Sequence, residues 1–511
     1  MENINLSNIR VRIAPSPTGF VHIGNLRTIL YNYLFAKHSK GKFLIRIEDT
    51  DQSRLVPGAV ENLLKVLTWA GFDNDEGPHL TADNKIKEIG EFGPYVQSKR
   101  LAIYKEYIQI LMEKGKAYPC FCSKERLDKL RADQTANKQA PKYDNFCRNL
   151  TKAETQALIK KGEPHVVRFK MPENREVVVK DLIHGDIVVN TNALDDYVLM
   201  KTDGYPTYHF ASIVDDHLMK ITQVMRSEEW ISSAPKHVLL YDAFGWQPPQ
   251  FAHLPPLLNT NKKKMSKRDG DTSVQDFIDK GYLRDAILNF IALLGWNSGT
   301  EQEIYTLPEL INQFTLDNVH KAGAVFDVDK LDWINGVYIR KLSTEDFYNQ
   351  CEPFLIKADL ISKDKTKIII TATGETVKPN YLKNILALEQ TRIKKLSDIP
   401  EAVSYFFIDK PEYDAKQLIW RKSDDTQTSA NLKNLEKILK KIKIEDFTKT
   451  ILEKTIFEFI NSNNLDTGSV LWPMRFALSG REKSPGPFEI AEALGKKKTL
   501  ERINIAIERL Q

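Results

Sequence analysis

The sequence predicts an α/β protein: a parallel-sheet core, a mixed α/β insertion within it, and an all-helical C-terminal half. Three observations predict this. The N-terminal stretch alternates strand, helix and strand signals, a βαβ unit and hence a parallel sheet. Residues 164–200 are rich in β-branched side chains and interrupt that rhythm. From about 270 onward, apolar residues recur almost only at helical spacing.

The elements follow in order. Val11 and Ile13 alternate with polar neighbours, a strand signal. Leu26, Ile29, Leu30, Tyr33 and Leu34 fall at i, i+3, i+4, i+7 and i+8, the apolar stripe of a helix, with Gly41 as its stop. Phe43, Ile45 and Ile47 alternate with Leu44, Arg46 and Glu48 as a second strand. Residues 116–150 hold three of the four cysteines and a polar helical stretch. Helix–strand alternation resumes at about 205. Ile221 to Met225 reads as a strand. Ser227-Glu228-Glu229 reads as a helix start with acids where the macrodipole favours them, and Ser232 to Phe244 as a long helix ended by Gly245. Further on, 283–296 is strongly apolar and 431–443 is a basic amphipathic helix.

Composition narrows the class. The 511 residues are 42% hydrophobic and 28% charged, enough for several cores. Four cysteines exclude a disulfide scaffold. No apolar run approaches the ~18 residues of a membrane span. The start MENINLSNIR has neither an apolar h-region nor an Arg-rich transit pattern, so the expectation is a cytoplasmic, reduced, multidomain protein without a membrane partner. The net charge of +5 names no partner by itself. It averages over basic blocks at 262–268, at Lys433, Lys437, Lys440, Lys441 and Lys443, and at Lys496, Lys497 and Lys498. Affinity for RNA through such blocks would come mostly from phosphate contacts and fall with salt.

Two motifs carry chemistry. The first runs from Arg12 through Ala14, Pro15, Ser16, Pro17, Gly19 and His22 to Gly24, linking the first strand to the first helix. Ligands of doubly wound sheets sit at the carboxyl ends of strands. Gly24 lets a nucleotide approach the backbone, the helix N-terminus attracts phosphate, and His22 can donate to a phosphate in the transition state. The second is Lys262-Lys263-Lys264-Met265-Ser266-Lys267-Arg268, with Gly270 close behind. This electropositive loop can close over a triphosphate and neutralise charge as pyrophosphate leaves. A third pattern, Cys120-Phe121-Cys122 followed by Tyr143 and Cys147, suggests zinc more than a disulfide. Its fourth ligand is open, with Tyr143 an unusual oxygen candidate.

The first two motifs together resemble the paired signatures of class I aminoacyl-tRNA synthetases. Arg46-Ile-Glu48-Asp49-Thr50-Asp51, Gly204-Tyr-Pro-Thr-Tyr208-His, Val214-Asp215-Asp216-His217 and Met225-Arg226-Ser-Glu-Glu-Trp230 narrow the resemblance to the bacterial-type glutamyl-tRNA synthetases. The Trp472-Pro-Met-Arg475 and Ser484-Pro485-Gly486-Pro487-Phe488 segments extend it over most of the chain. The resemblance implies a Rossmann-type catalytic core, ATP with Mg2+, L-glutamate and tRNA(Glu) as partners, a monomer, and activation that requires tRNA. The reaction joins glutamate to ATP as glutamyl-adenylate, then moves the glutamyl group to the 3′ end of the tRNA. Positioning and charge stabilisation should carry its rate.

By the same resemblance, Gly19, His22, Gly24, Lys264, Ser266 and Lys267 hold ATP. His22, Lys264 and Lys267 serve the chemistry. Arg12, Ala14, Ser16, Glu48, Tyr208 and Arg226 hold glutamate, with Glu48 suited to the ammonium. Arg475, Ser484, Pro485 and Pro487 contact the anticodon. Cys120, Cys122, Tyr143 and Cys147 are the possible structural zinc site, present in some relatives and lost in others. Arg226 favours glutamate over glutamine, since a buried guanidinium facing a neutral amide would be underpaired. Asn25 and Ser212 depart from the commonest family residues, a histidine and an asparagine. The expected division is a core half over 8–115, an insertion for the acceptor end over 116–203, the second core half over 204–260, the lysine loop with a helical stem-contact segment over 261–340, and a helical anticodon-binding region over 341–511, split near 420. The alternatives are an enzyme that also charges tRNA(Gln), a glutaminyl enzyme, or an inactive RNA-binding paralogue.

Overall fold

The computed structural model describes residues 8–265, 273–365, 367–421 and 423–511. They form two compact units. One runs to Phe277 and includes Ile287–Val328; the other comprises Ile278–Ala286 and Asp329–Gln511.

The first unit is built on a six-stranded sheet. Its strands are β1 (Arg10–Ile13), β2 (Lys42–Ile45), β3 (Glu176–Asp181), β4 (Gly185–Asn190), β5 (Gln223–Ser227) and β6 (Gln250–Leu254), in spatial order β2-β1-β5-β6-β3-β4. The first five in that order are parallel, and β4 closes an antiparallel hairpin with β3. Helix α1 (Ile23–His38) makes the crossover from β1 to β2, as the apolar stripe predicts. Leu26, Leu30 and Leu34 on it are fully buried. Helices α2 (Tyr208–Leu218) and α3 (Ala234–Phe244) flank β5 in sequence.

Several boundaries differ from the sequence reading. The strand expected at 221–225 is Gln223–Ser227, because Lys220 takes a left-handed turn conformation ahead of it. The second strand stops at Ile45, and Ile47 makes only an isolated bridge to Val96. Glu228 and Glu229 open a 3-10 turn, Glu228–Ser233, and the regular helix starts at Ala234 with Pro235 in its first turn. The larger difference is that β3 and β4, read as part of the insertion, complete the core sheet. Val177, Val179 and Asp181 point inward while Val178 and Lys180 stay exposed, the period-2 pattern of a sheet with one covered face. What remains of the insertion is a three-stranded antiparallel sheet, Ala117–Cys120, Val166–Phe169 and Val198–Met200, with helices Lys124–Ala136 and Lys152–Lys160.

The second unit is helical, and Cys351 lies fully buried within its core. One feature corrects the all-helical expectation. Ile361–Asp364, Lys367–Ile370 and Thr376–Val377 form a small antiparallel sheet. The run of Ile368, Ile369 and Ile370, and the left-handed turn at Gly374, favour a hairpin locally. The last helix, Pro487–Arg509, is kinked at Gly495, whose φ of 76° and ψ of 165° are open essentially to glycine alone.

Candidate functional site

Parallel order puts the carboxyl ends of β1 and β5 side by side, so Arg12 and Arg226 reach the same rim of the sheet. Helix α2 covers that rim. Tyr208, Ser212, Asp215 and Asp216 lie at i, i+4, i+7 and i+8, one face of the helix turned toward both arginines.

These residues form a buried charge network. Arg12 meets Asp216 through two bonds, Nε to Oδ1 at 3.0 Å and Nη2 to Oδ2 at 3.2 Å. Arg46 donates to Asp216 at 2.7 Å and to Glu48 at 2.9 Å, and reaches Ser212 Oγ at 3.4 Å. Arg100 and the Tyr104 hydroxyl each donate to Asp215 at 2.7 Å. Gln97 Nε2 donates to Asp215 at 2.9 Å. Three guanidiniums (Arg12, Arg46, Arg100) thus meet three carboxylates (Glu48, Asp215, Asp216). Burial opposes the charge on Asp216, but Arg12 and Arg46 outweigh it and hold the carboxyl below its ordinary range. For Glu48 the balance tips the other way: burial pushes its carboxyl up despite Arg46 and Arg12. A substrate ammonium would favour the ionised form there.

Arg226 is different. Among the described residues it makes no ion pair with a carboxylate. Nε donates to His253 Nε2 at 3.1 Å, Nη1 to the Tyr208 hydroxyl at 2.7 Å and to His237 Nδ1 at 3.4 Å, and Nη2 to the Trp230 carbonyl at 3.3 Å. Its side chain is nearly buried, at 6% exposure, and Tyr208 and Trp230 pack together beside it with ring centres 4.5 Å apart. The structure thus brings Arg12, Glu48, Tyr208 and Arg226 to one rim of the sheet, with Ser212 among them. Ser212 occupies its place as a short hydroxyl within reach of Arg46.

The turn after β1 lies against the same rim. Glu48 N–H donates to the Pro15 carbonyl at 3.0 Å, which holds Glu48 beside Ala14 and Ser16. His22 caps α1: its Nδ1 accepts from Gly24 N–H at 3.0 Å. An imidazole whose Nδ1 accepts carries its proton on Nε2, directed away from the cap. A Cβ on Gly24 would sit 3.3 Å from that same Nδ1, so glycine keeps the cap unstrained. A Cβ on Gly19 would meet nothing within 4 Å. Lys264 is exposed and forms a 2.5 Å ion pair with Glu229 at the start of the 3-10 turn. Ser266, Lys267, Arg268 and Gly270 lie outside the described residues.

The insertion gathers its three cysteines. The Cys120, Cys122 and Cys147 sulfurs lie within 4.8 Å of one another. Cys122 and Cys147 are 3.6 Å apart, and Tyr143 Oη is 3.3 Å from Cys120 and 3.7 Å from Cys122. Tetrahedral zinc with Zn–S bonds of about 2.3 Å sets sulfur–sulfur distances near 3.8 Å and sulfur–oxygen distances near 3.5 Å. The three sulfurs are compatible with such an ion, and the Tyr143 Oη beside them accepts from Cys147 N–H at 3.0 Å.

In the second unit, Arg475 stacks over Trp472 at 4.8 Å, and Trp472 packs on Trp420 at 5.1 Å. Arg475 and Pro487 are partly exposed, while Ser484 and Pro485 are buried. The Ser484 hydroxyl donates to the Pro485 carbonyl at 3.1 Å and lies 3.4 Å from Ser479 Oγ, so it shapes the turn. The basic blocks also divide. Lys433 and Lys437 are exposed, whereas Lys496 donates to the Lys440 and Ile442 carbonyls at the end of helix Asp425–Lys441.

The sequence reading missed Asp181, His237 and His253 as site residues. It quoted Asp215 and Asp216 only as a motif. Tyr208, Ser212, Asp215 and Asp216 on one helical face of α2 were the available signal for the network.

Residues 8–333 match the family described as "tRNA synthetases class I (E and Q), catalytic domain", and residues 346–507 match an anticodon binding domain. The chain is 46% identical to a glutamate–tRNA ligase of Clostridioides difficile over 500 residues, covering 97% of this chain and 98% of that one. It is 44% identical to a glutamate–tRNA ligase of Alkaliphilus metalliredigens, covering 99% and 100%. The crystal structure of a glutamate tRNA ligase from Elizabethkingia meningosepticum in complex with its amino acid superposes with a TM-score of 0.87 at 37% identity, covering 99% and 100%.

Proposed function

The chain belongs to the glutamate–tRNA ligases of the class I tRNA synthetases, and from that premise we propose how its own residues divide the reaction. Arg226 holds the side-chain carboxylate of glutamate, and Arg12 holds the α-carboxylate with the Nη1 that Asp216 leaves unengaged. Glu48, with Tyr208 and Ser16 nearby, receives the ammonium. The observation that carries this reading is the contrast, along this rim of the sheet, between the balanced network of Arg12, Arg46 and Arg100 and Arg226, which pairs with no carboxylate among the described residues.

On the nucleotide side, Gly19 and Gly24 give ATP access to the backbone, and His22 presents Nε2–H toward the phosphates. Lys264, Ser266 and Lys267 complete the phosphate site. An oxygen of the substrate α-carboxylate attacks the α-phosphorus and pyrophosphate leaves. A ribose hydroxyl at the tRNA 3′ end then attacks the carbonyl carbon of the adenylate, and AMP leaves. Mg2+ arriving with ATP neutralises triphosphate charge. The residues do not act as covalent nucleophiles; they orient and balance charge.

The residue spans take the roles set out above, except that β3 and β4 belong to the core sheet: core halves 8–115 and 204–260 with Glu176–Asn190, an acceptor-end insertion in the rest of 116–203, stem contact in 261–340 and anticodon reading in 341–511. Zinc at Cys120, Cys122, Tyr143 and Cys147 serves the fold of the insertion. tRNA(Glu) is the acceptor, with Arg475 and Pro487 meeting the anticodon and the buried Ser484 and Pro485 shaping their turn. The working unit in this reading is a monomer. ATP–pyrophosphate exchange tests the reading: glutamate with tRNA(Glu) should support exchange, and omission of tRNA should abolish it. Exchange driven equally by glutamine would contradict the assignment of Arg226.

A further inference from the structure

Behind Arg226 lies a chain of groups outside the glutamate contacts proposed above. Arg226 on β5 and His253 on β6 are direct register partners in the parallel sheet, so their side chains emerge side by side on one face. Asp181 ends β3, the next strand over, where it pairs with Phe251. Arg226 Nε is 3.1 Å from His253 Nε2, and His253 Nδ1 is 2.6 Å from Asp181 Oδ2. His253 and the Asp181 side chain are fully buried. On the other side, His237 Nδ1 is 3.4 Å from Arg226 Nη1, and His237 Nε2 is 3.1 Å from His209 Nδ1.

A guanidinium only donates. Both imidazole nitrogens facing Arg226 must therefore be lone pairs. For His253 this puts the proton on Nδ1, where Asp181 accepts it; for His237 it puts the proton on Nε2, where His209 accepts it. Burial keeps the rings uncharged: His237 is pushed well below the ordinary range, and His209 down to about 4. His253 is also lowered by burial, against the pull of Asp181.

We propose that Asp181, His253 and His237 are positioning residues for glutamate selection: two neutral imidazoles, the first locked in its tautomer by Asp181, aim Arg226 at the substrate carboxylate without neutralising its charge. A carboxylate in direct contact would hold the guanidinium equally well but cancel the charge that separates glutamate from glutamine. An imidazole fixes direction and leaves the charge for the substrate. This rests on the reading of Arg226 as the side-chain carboxylate ligand.

Asp181→Asn is the sharpest probe. Asp181 Oδ1 accepts from the backbone N–H groups of Ile183 at 3.0 Å and His184 at 2.9 Å. The His253 backbone N–H donates to Oδ2 at 3.2 Å, so the two oxygens are served unequally. The amide oxygen of the variant goes to the side with two close backbone donors, and its NH2 faces the His253 backbone N–H and Nδ1. That drives the proton to Nε2, where it opposes the Arg226 Nε–H. The experiment measures tRNA-dependent ATP–pyrophosphate exchange for Asp181→Asn, His253→Leu, His253→Gln and Arg226→Ala.

The expected result for Asp181→Asn and His253→Leu is a glutamate KM raised by about tenfold to a hundredfold, the cost of one misdirected bond to a charged group, with the ATP KM unchanged. His253→Gln, whose amide oxygen can face Arg226, should lie closer to the parent protein than His253→Leu. An unchanged glutamate KM in Asp181→Asn, beside a severe loss in Arg226→Ala, overturns the positioning role and leaves the Arg226 reading intact. Equal changes in the KM for ATP and glutamate also overturn it, because a merely structural dyad would disturb both. A silent Arg226→Ala removes the reading on which the proposal stands.

Discussion

Lys264 and Arg226, the two cations proposed to meet substrate, are held in opposite ways. Lys264 is exposed and its partner is a carboxylate, Glu229, so the pair is worth little in water and is readily exchanged for phosphate. Arg226 is buried and aimed by neutral acceptors. Lys264→Ala should therefore leave tRNA affinity nearly unchanged but lower the exchange rate by about a hundredfold or more, the usual weight of one donor to developing phosphate charge. Filter binding beside an exchange assay checks it, and an unchanged rate would remove Lys264 from the chemistry. At this scale much of the site was legible. Arg12, Glu48, Tyr208 and Arg226 sit in motifs whose residue types suit an amino-acid dicarboxylate. His253 was not, because its role comes from a strand register that joins residues far apart in the chain, Asp181, Arg226 and His253. Within its own segment, Phe251-Ala-His-Leu254, it reads as one polar residue in a buried strand.

At the scale of elements, α2 is the part that holds the site together. Its Asp216 satisfies two guanidiniums at once. Asp216→Ala would leave Arg12 and Arg46 buried and underpaired, a loss of about 3–5 kcal/mol by the usual cost of breaking such a pair. Urea denaturation of the full chain, followed in the first unit, should show the loss; a shift under about 1 kcal/mol would mean the network relaxes freely. The pH dependence has a definite sign. Because the folded carboxyl of Asp216 lies below its ordinary value, its stabilisation is present above pH 3.8 and is lost as pH falls toward the lower folded value. In the insertion, protein purified without chelator should carry about one zinc per chain, and Cys122→Ser should lose it. Metal analysis near zero with the fold intact would contradict the zinc assignment. The elements were legible where periodicity was long, as in α1. They were less so where a short β-branched run, Ile368 to Ile370, forms a hairpin in a helical setting. The transfer of β3 and β4 to the core sheet was invisible, because pattern identifies a strand but not its neighbour.

For the whole molecule, the +5 net charge is a poor guide to partners, and the structure explains why. Some of the lysines that compose it are committed to the fold: Lys496 caps a helix end, and Lys498 pairs with Glu375 at 2.6 Å. Others, such as Lys433 and Lys437, are exposed and available to phosphate. The three-part organisation read from the chain survives as an α/β unit carrying an insertion and a largely helical unit. Among the described residues, no helix is long and apolar enough to cross a membrane. The claim that unites these scales is that one buried, unneutralised guanidinium selects the amino acid. Its most direct test is the ratio of kcat/KM for glutamate to that for glutamine in tRNA-dependent exchange, measured in the parent protein and in Arg226→Ala. The expected ratio is about a thousand or more in the parent, as buried polar mismatches give, collapsing by at least about a hundredfold in the variant through loss of glutamate activity. A variant that keeps the parental ratio would contradict it.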